Sequence, residues 1–137
     1  MNVKHQKYIE YIVSDIELPY LKSLNMYGLK QVEMNMVLSK VFNQPITIGG
    51  RSVYDKNDNE IYYEDSDGSW EKKEYDTNDK RIYHEDSSGY WEKREYDKQG
   101  NIIYREGSIG DWVKIDYDTN GNETYYENSN GEIEDNR

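Results

Sequence analysis

The residues best suited to chemistry in this chain are carboxylates, and they recur at fixed intervals. Two stretches, Asp65-Ser66-Asp67-Gly68 and Asp118-Thr119-Asn120-Gly121-Asn122, look like pieces of a calcium loop. Such a loop needs Gly at its sixth position and Glu at its twelfth. Counted from Asp118, the Gly falls fourth and the twelfth residue is Ser129, so both stretches read as turns and no metal is expected. For acid–base work there are only two histidines. His5 lies on the polar side of a helical pattern, and His84 occupies a column held elsewhere by Tyr63, Arg105 and Tyr126. A catalytic group needs a distinct, enclosed setting. With no nucleophile motif, no phosphate loop and no cysteine, the chain reads as a non-enzyme without a cofactor.

Recognition is the chemistry that remains. The chain carries 17 basic and 28 acidic residues, a formal charge of −11, and the imbalance is local: residues 1–53 carry +2 and residues 54–137 carry −13. A surface of that sign repels phosphate backbones and anionic membranes, so direct nucleic-acid or membrane binding is not expected; the matching partner is a basic surface on another protein. The candidate contacts are Glu64, Asp65, Asp67, Glu71, Asp86, Glu92, Glu127, Glu132 and Glu134. Regularly spaced carboxylates on a stiff sheet can imitate a phosphate backbone and capture a nucleic-acid-handling protein through fast, salt-sensitive association. A second candidate surface is aromatic. Trp70, Trp91 and Trp112 repeat at one spacing, and they either pack across strands or offer a strip to a small ligand.

What must position these residues is a 21-residue unit written four times from Tyr54 to Arg137. Its shared columns are Tyr54/75/96/117, Asp55/76/97/118, Tyr62/83/104/125, Glu64/85/106/127, Ser66/87/108/129 and Gly68/89/110/131. A strict period of this kind means stacked supersecondary units. Two turn signals alternate within it. Tyr-Asp-x-x-Gly-Asn, as in Tyr96 to Asn101, suits a type I turn followed by a bulged Gly, and Ser-x-Gly marks the other end. In the first two copies Asp58 and Asp79 stand where that Gly does, and Asp tolerates the left-handed region. The runs between turns are rich in Tyr, Trp and Ile, so each unit predicts a hairpin and the four predict an antiparallel meander of seven or eight strands, mostly a single layer. If Asp97 faces Asn101, Glu95 pairs with Ile103 and Tyr96 with Ile102. Strict alternation then puts Trp91, Lys93, Glu95, Ile103 and Arg105 on one face, and Glu92, Arg94, Tyr96, Ile102, Tyr104 and Glu106 on the other.

Residues 1–53 form a helical cap and linker ahead of the array at 54–137, giving an α+β protein. Tyr8, Ile9, Ile12, Val13 and Ile16 form one helical stripe. Pro19 ends that helix, Tyr20 to Tyr27 gives a short second one capped by Gly28, and Leu29 to Phe42 a third. Asn43 to Arg51, with Pro45 and Gly49-Gly50, reads as linker with a short extended piece at Ile46 to Ile48. Every Leu and Met lies in residues 1–53, so the helices are expected to hold the ordinary hydrophobic core.

The spacing of YDxxGN, IYxE, SxG and WxK in residues 54–137 resembles the Tyr-Asp-rich hairpin repeats of phage and bacterial proteins. More loosely it is similar to MORN-type repeats, although those carry more Gly and lack the Asp-Asn turn. The resemblance implies a binding or scaffolding surface rather than a reaction. Small acidic phage proteins of this kind resemble inhibitors of host defence, anti-CRISPRs among them, acting in the host cytoplasm. The Trp, Tyr and Gly content is also similar to the choline-binding hairpins of cell-wall proteins, which implies the aromatic-strip alternative of choline or glycan binding. The N-terminus shows neither a signal peptide nor a membrane span, which favours a cytoplasmic setting over that use. A purely structural spacer or assembly domain, including a homo-oligomer, is the third reading.

Overall fold

The structure, a computed structural model, describes residues 3–137. Helices α1 (Val3–Asp15), α2 (Tyr20–Leu24) and α3 (Gln31–Val41), with a 3-10 turn at Asn25–Tyr27, precede ten strands. These are β1 (Ile46–Gly49), β2 (Ser52–Asp55), β3 (Glu60–Glu64), β4 (Trp70–Tyr75), β5 (Arg81–Asp86), β6 (Trp91–Tyr96), β7 (Ile102–Gly107), β8 (Trp112–Tyr117), β9 (Glu123–Asn128) and β10 (Ile133–Asp135). The strands form an antiparallel meander, ordered in the sheet as in the chain. The helix-then-meander order is as expected. The strand count is higher, because the expected linker is itself a strand: β1 pairs with β2 around Gly50, whose φ of 61° permits the tight reversal. By contact density the chain divides into two units, Met1–Glu71 and Lys72–Arg137.

The first unit holds the apolar core. Ile9, Ile12 and Ile16 of the α1 stripe are buried, as are Leu24, Val37 and Leu38, whereas Tyr8 stays exposed. Pro19 precedes α2 and lacks the N–H needed to extend α1; Gly28, at φ 64°, ends the following turn. Glu33 accepts the Lys30 N–H at 3.0 Å at the start of α3 and pairs with His5 at 3.2 Å, tying α3 to α1. The helices do not hold this core alone. Ile46, Val53, Ile61 and Tyr62 of the first three strands are buried with them.

The second unit is strand and turn only, and its turns share one geometry. At Asp97 the N–H donates to the Asn101 carbonyl and the Gly100 N–H to the Asp97 carbonyl; Asp118 repeats this with Asn122 and Gly121. Gly89, Gly110 and Gly131 close the Ser-x-Gly turns with the same pair of bonds at the corresponding positions. The fifth residue of each turn therefore faces the first, and the fourth must adopt positive φ: 90° at Gly100, 61° at Asp79. The Asp97 carboxylate also accepts the Gln99 and Asn101 N–H groups, and Asp118 does the same for Asn120 and Asn122. The bonds from Asn101 and Asn122 chiefly hold these two carboxyls below the usual carboxylate range.

A carboxyl depressed in the folded state contributes stability above its unfolded value of about 3.9, and that contribution is lost as pH falls through the folded value. Melting temperature should therefore drop as pH is lowered below about 4, and the Asp97→Asn, Asp118→Asn double variant should show a smaller drop in the same titration. The variant should fold, because Asn128 already holds an equivalent turn, accepting the Asn130 N–H at 3.0 Å and the Glu132 N–H at 3.2 Å.

The register carries a feature that alternation alone misses. Tyr96 faces Ile102 as expected, but Glu95 faces Tyr104, because Ile103 is an extra residue at a bulge. The same one-residue shift occurs between Val53 and Tyr54 and between Asp116 and Tyr117. A single inserted residue inverts the facing of everything beyond it. The expected face assignment is therefore corrected past Ile103. Tyr104 and Glu106 share a side with Glu95, Lys93 and Trp91, while Arg105 shares the other with Arg94.

Candidate functional site

In the first unit, the bulge turns Tyr62 and Glu64 toward the helices. There they meet the opening turn of α2, where backbone N–H groups have no partner within the helix. The Tyr20 N–H donates to the Tyr62 hydroxyl at 3.0 Å, the Leu21 N–H to Glu64 Oε1 at 2.8 Å and the Lys22 N–H to Glu64 Oε2 at 2.9 Å. The Tyr62 hydroxyl in turn donates to Glu64 Oε1 at 2.6 Å. Three successive N–H groups are thus received by one Tyr-x-Glu pair. The Tyr20 and Phe42 rings pack on the Tyr62 ring with centroids 5.4 and 6.0 Å away. Burial and the adjacent carboxylate raise the Tyr62 pKa well above its ordinary value, so the phenol stays neutral and able to donate.

Glu64 was expected beside an exposed turn as a partner contact. It is instead 3% exposed, with both carboxylate oxygens engaged inside the protein. Its neighbours differ. Asp65 and Asp67 are exposed at the β3–β4 turn; Asp65 accepts the Tyr63 hydroxyl, and Asp67 the Ser69 N–H, which lowers its pKa. Glu71 and Trp70 are half-buried in β4.

In the second unit the same columns lie on one face. Tyr83 pairs across strands with Lys93 and Glu85 with Trp91; Tyr104 pairs with Lys114 and Glu106 with Trp112. The lysines cover the indoles, Lys93 Nζ lying 5.2 Å from the Trp91 ring centre and Lys114 Nζ 5.1 Å from that of Trp112. Trp91 and Trp112 of the aromatic strip are therefore half-buried and already topped by cations of the chain itself, each a cation–π contact of about 0.5–1 kcal/mol at exposed sites. A groove of about 820 Å³ opens beside it, lined by Ile82, Tyr83, Ile103, Tyr104, Glu95 and Glu106 among others.

The remaining candidate acids are dispersed. Glu92 faces His84 and Gly107, on the side away from Trp91, and is held by Arg94 and, at 3.9 Å, by Arg81. Asp86 is half-buried at its turn and accepts the Ser88 N–H. Glu127 faces Lys114 and Ile133, while Glu132 and Glu134 are exposed near the C-terminus. One column's role was missed from sequence. The Ser108 and Ser129 hydroxyls accept the N–H groups of Trp91 and Trp112, and the serine N–H groups donate back to the tryptophan carbonyls, joining residues 17 apart. The constant Ser-to-Trp spacing was the available signal.

No protein-family model matches the chain, and no curated protein matches it. Among the described residues no cluster of three or more His, Asp or Glu side chains could hold a metal ion, and no helix is long and apolar enough to cross a membrane.

Proposed function

We propose that this chain is a non-enzymatic protein-binding module. Residues 54–137 act as an array of four 21-residue hairpin units whose acidic surface occupies a basic surface of a nucleic-acid-handling or defence protein. In this reading it is a cytoplasmic nucleic-acid mimic of the phage inhibitor, anti-CRISPR kind. The observation that carries it is the −13 charge of residues 54–137, with Asp65, Asp67 and Glu132 exposed at turns and Glu134 exposed on β10. Supporting the array are turn bonds that recur at Gly68, Gly89, Gly110 and Gly131. Glu64 is left out of the binding set because its carboxylate is buried.

The test is association with purified basic nucleic-acid-binding proteins, in competition with duplex DNA. Charge-driven capture requires affinity to fall steeply as the Debye length shrinks from about 10 Å at 0.1 M salt to about 3 Å at 1 M. Neutralising Asp65 and Asp67 to Asn, or Glu127, Glu132 and Glu134 to Gln, should slow association several-fold with little change in melting temperature. Affinity that is flat across the salt range and indifferent to both sets would remove the mimicry reading.

A further inference from the structure

The Tyr-x-Glu pair is a receptor for backbone N–H groups in the first unit, and the second unit presents the pair again with no helix of its own. Tyr83 donates to Glu85 at 3.5 Å and Tyr104 to Glu106 at 3.2 Å. These bonds are longer than the 2.6 Å of the filled Tyr62–Glu64 pair, and all four residues are half-exposed. The isoleucine preceding each tyrosine is also repeated, so Ile82-Tyr83 and Ile103-Tyr104 reproduce the Ile61-Tyr62 pair buried in the first unit. The fourth copy differs. Thr124 replaces the isoleucine, and the Arg137 guanidinium already lies 4.1 Å from the Tyr125 ring centre.

We infer that the groove formed by Ile82, Tyr83, Ile103, Tyr104 and Glu106, with Glu85 accepting from the Tyr83 hydroxyl, docks the opening turn of a helix from another protein. That helix would supply successive free N–H groups and an aromatic side chain, as Tyr20 to Lys22 do for Tyr62 and Glu64. The occupant follows from what the chain already does with the same residues, and charge agrees. Glu74, Asp76, Glu95 and Glu106 outnumber Lys93 and Arg94 around the groove, which suits the positive end of a helix dipole. Its volume of about 820 Å³ is of the order that holds a bound group with one large ring. This goes beyond the charge-driven reading, since it depends on directed hydrogen bonds at one groove rather than on net charge.

The experiment uses the full chain and a peptide of its own sequence from Glu17 to Gly28, stapled into a helix between the exposed positions 22 and 26. Backbone and indole NMR shifts are followed at 0.5 M salt, where long-range attraction between exposed charges is largely screened. The expected result is saturable shifts at residues 82–85 and 103–106 and at the Trp91 indole. Glu106→Gln and Tyr104→Phe should each weaken binding roughly tenfold, as loss of a charge-assisted or hydroxyl acceptor does. Glu123→Gln, at an exposed position outside both proposed surfaces, should leave the affinity unchanged, and unaltered melting temperatures would show that the variants fold. Absence of shifts, shifts confined to the first unit, or equal weakening by Glu123→Gln would overturn the inference. So would concentration-dependent dimerisation of the chain alone that Glu106→Gln abolishes, because the occupant would then be a second copy. Peptide binding that survives while the salt-dependent capture fails would separate this site from the acidic-surface reading.

Discussion

Glu64→Ala should destabilise the first unit by about 2–4 kcal/mol, whereas Glu106→Ala, at the same position two copies later, should stay within about 0.5 kcal/mol. The asymmetry comes from burial. Removing the Glu64 carboxylate leaves the Leu21 and Lys22 N–H groups and the Tyr62 hydroxyl without their acceptor in a region where Tyr62 is fully buried. An orphaned buried donor forfeits about 1–3 kcal/mol, and water admitted to the site would recover only part of it. Glu64→Gln should fall between, since one amide oxygen can still accept while the amide nitrogen opposes the second N–H. Chemical denaturation followed by tryptophan fluorescence and far-UV circular dichroism would measure all three. If Glu64→Ala and Glu106→Ala cost the same, the helix-opening contact is not what fastens α2 to the strands.

That contrast marks the limit of what could be read from residues alone. The helices were legible because apolar spacing, Pro19 and Gly28 all agree, and the turns because Asp, Asn and Gly recur where positive φ is required. The bulge at Ile103 was not legible. Ile102 and Ile103 are both β-branched and both suit a strand, so nothing in their chemistry says which is the extra residue. Missing it inverted the facing of Tyr104 and Glu106, and hid that the Tyr, Glu, Trp and Lys columns share one side. The burial of Glu64 was hidden for a related reason. Glu85, Glu106 and Glu127 stand in the same Tyr-x-Glu-x-Ser pattern as Glu64, and only the presence of helices over the first copy separates a structural carboxylate from a half-exposed one. Dispersal of the candidate acids between turns and opposite faces likewise depends on register, which period and composition leave open.

The largest effect expected in the second unit comes from a deletion that breaks phase. Removing residues 75–95, one whole 21-residue copy, joins Glu74 to Tyr96 and restores the junction found at every copy boundary, Glu or Asp followed by Tyr-Asp. Strand alternation, the bulge, the Ser-to-Trp link and both turns are kept in register, so the shortened chain should fold with a sheet-plus-helix spectrum and a cooperative melt. Removing only residues 86–95 takes away the Ser-x-Gly turn with Gly89, the Trp91 partner of Ser108, and most of β6. The Asp97–Asn101 turn, with Gly100, would then join β5 directly to β7, so two turns of the same kind would follow one another where the sequence alternates them, and β5 would have to pair in place of β6 without the Trp91 and Lys93 side chains. A hairpin of this size is marginal without a paired neighbour, so the loss should spread through strands β5 to β8, with most of the protection from amide exchange in residues 81–117 gone. The core built on Ile12, Leu38 and Tyr62 lies in the first unit and should keep its own protection. Equal exchange protection in the two deletion variants would mean that the 21-residue phase does not govern how these strands pair.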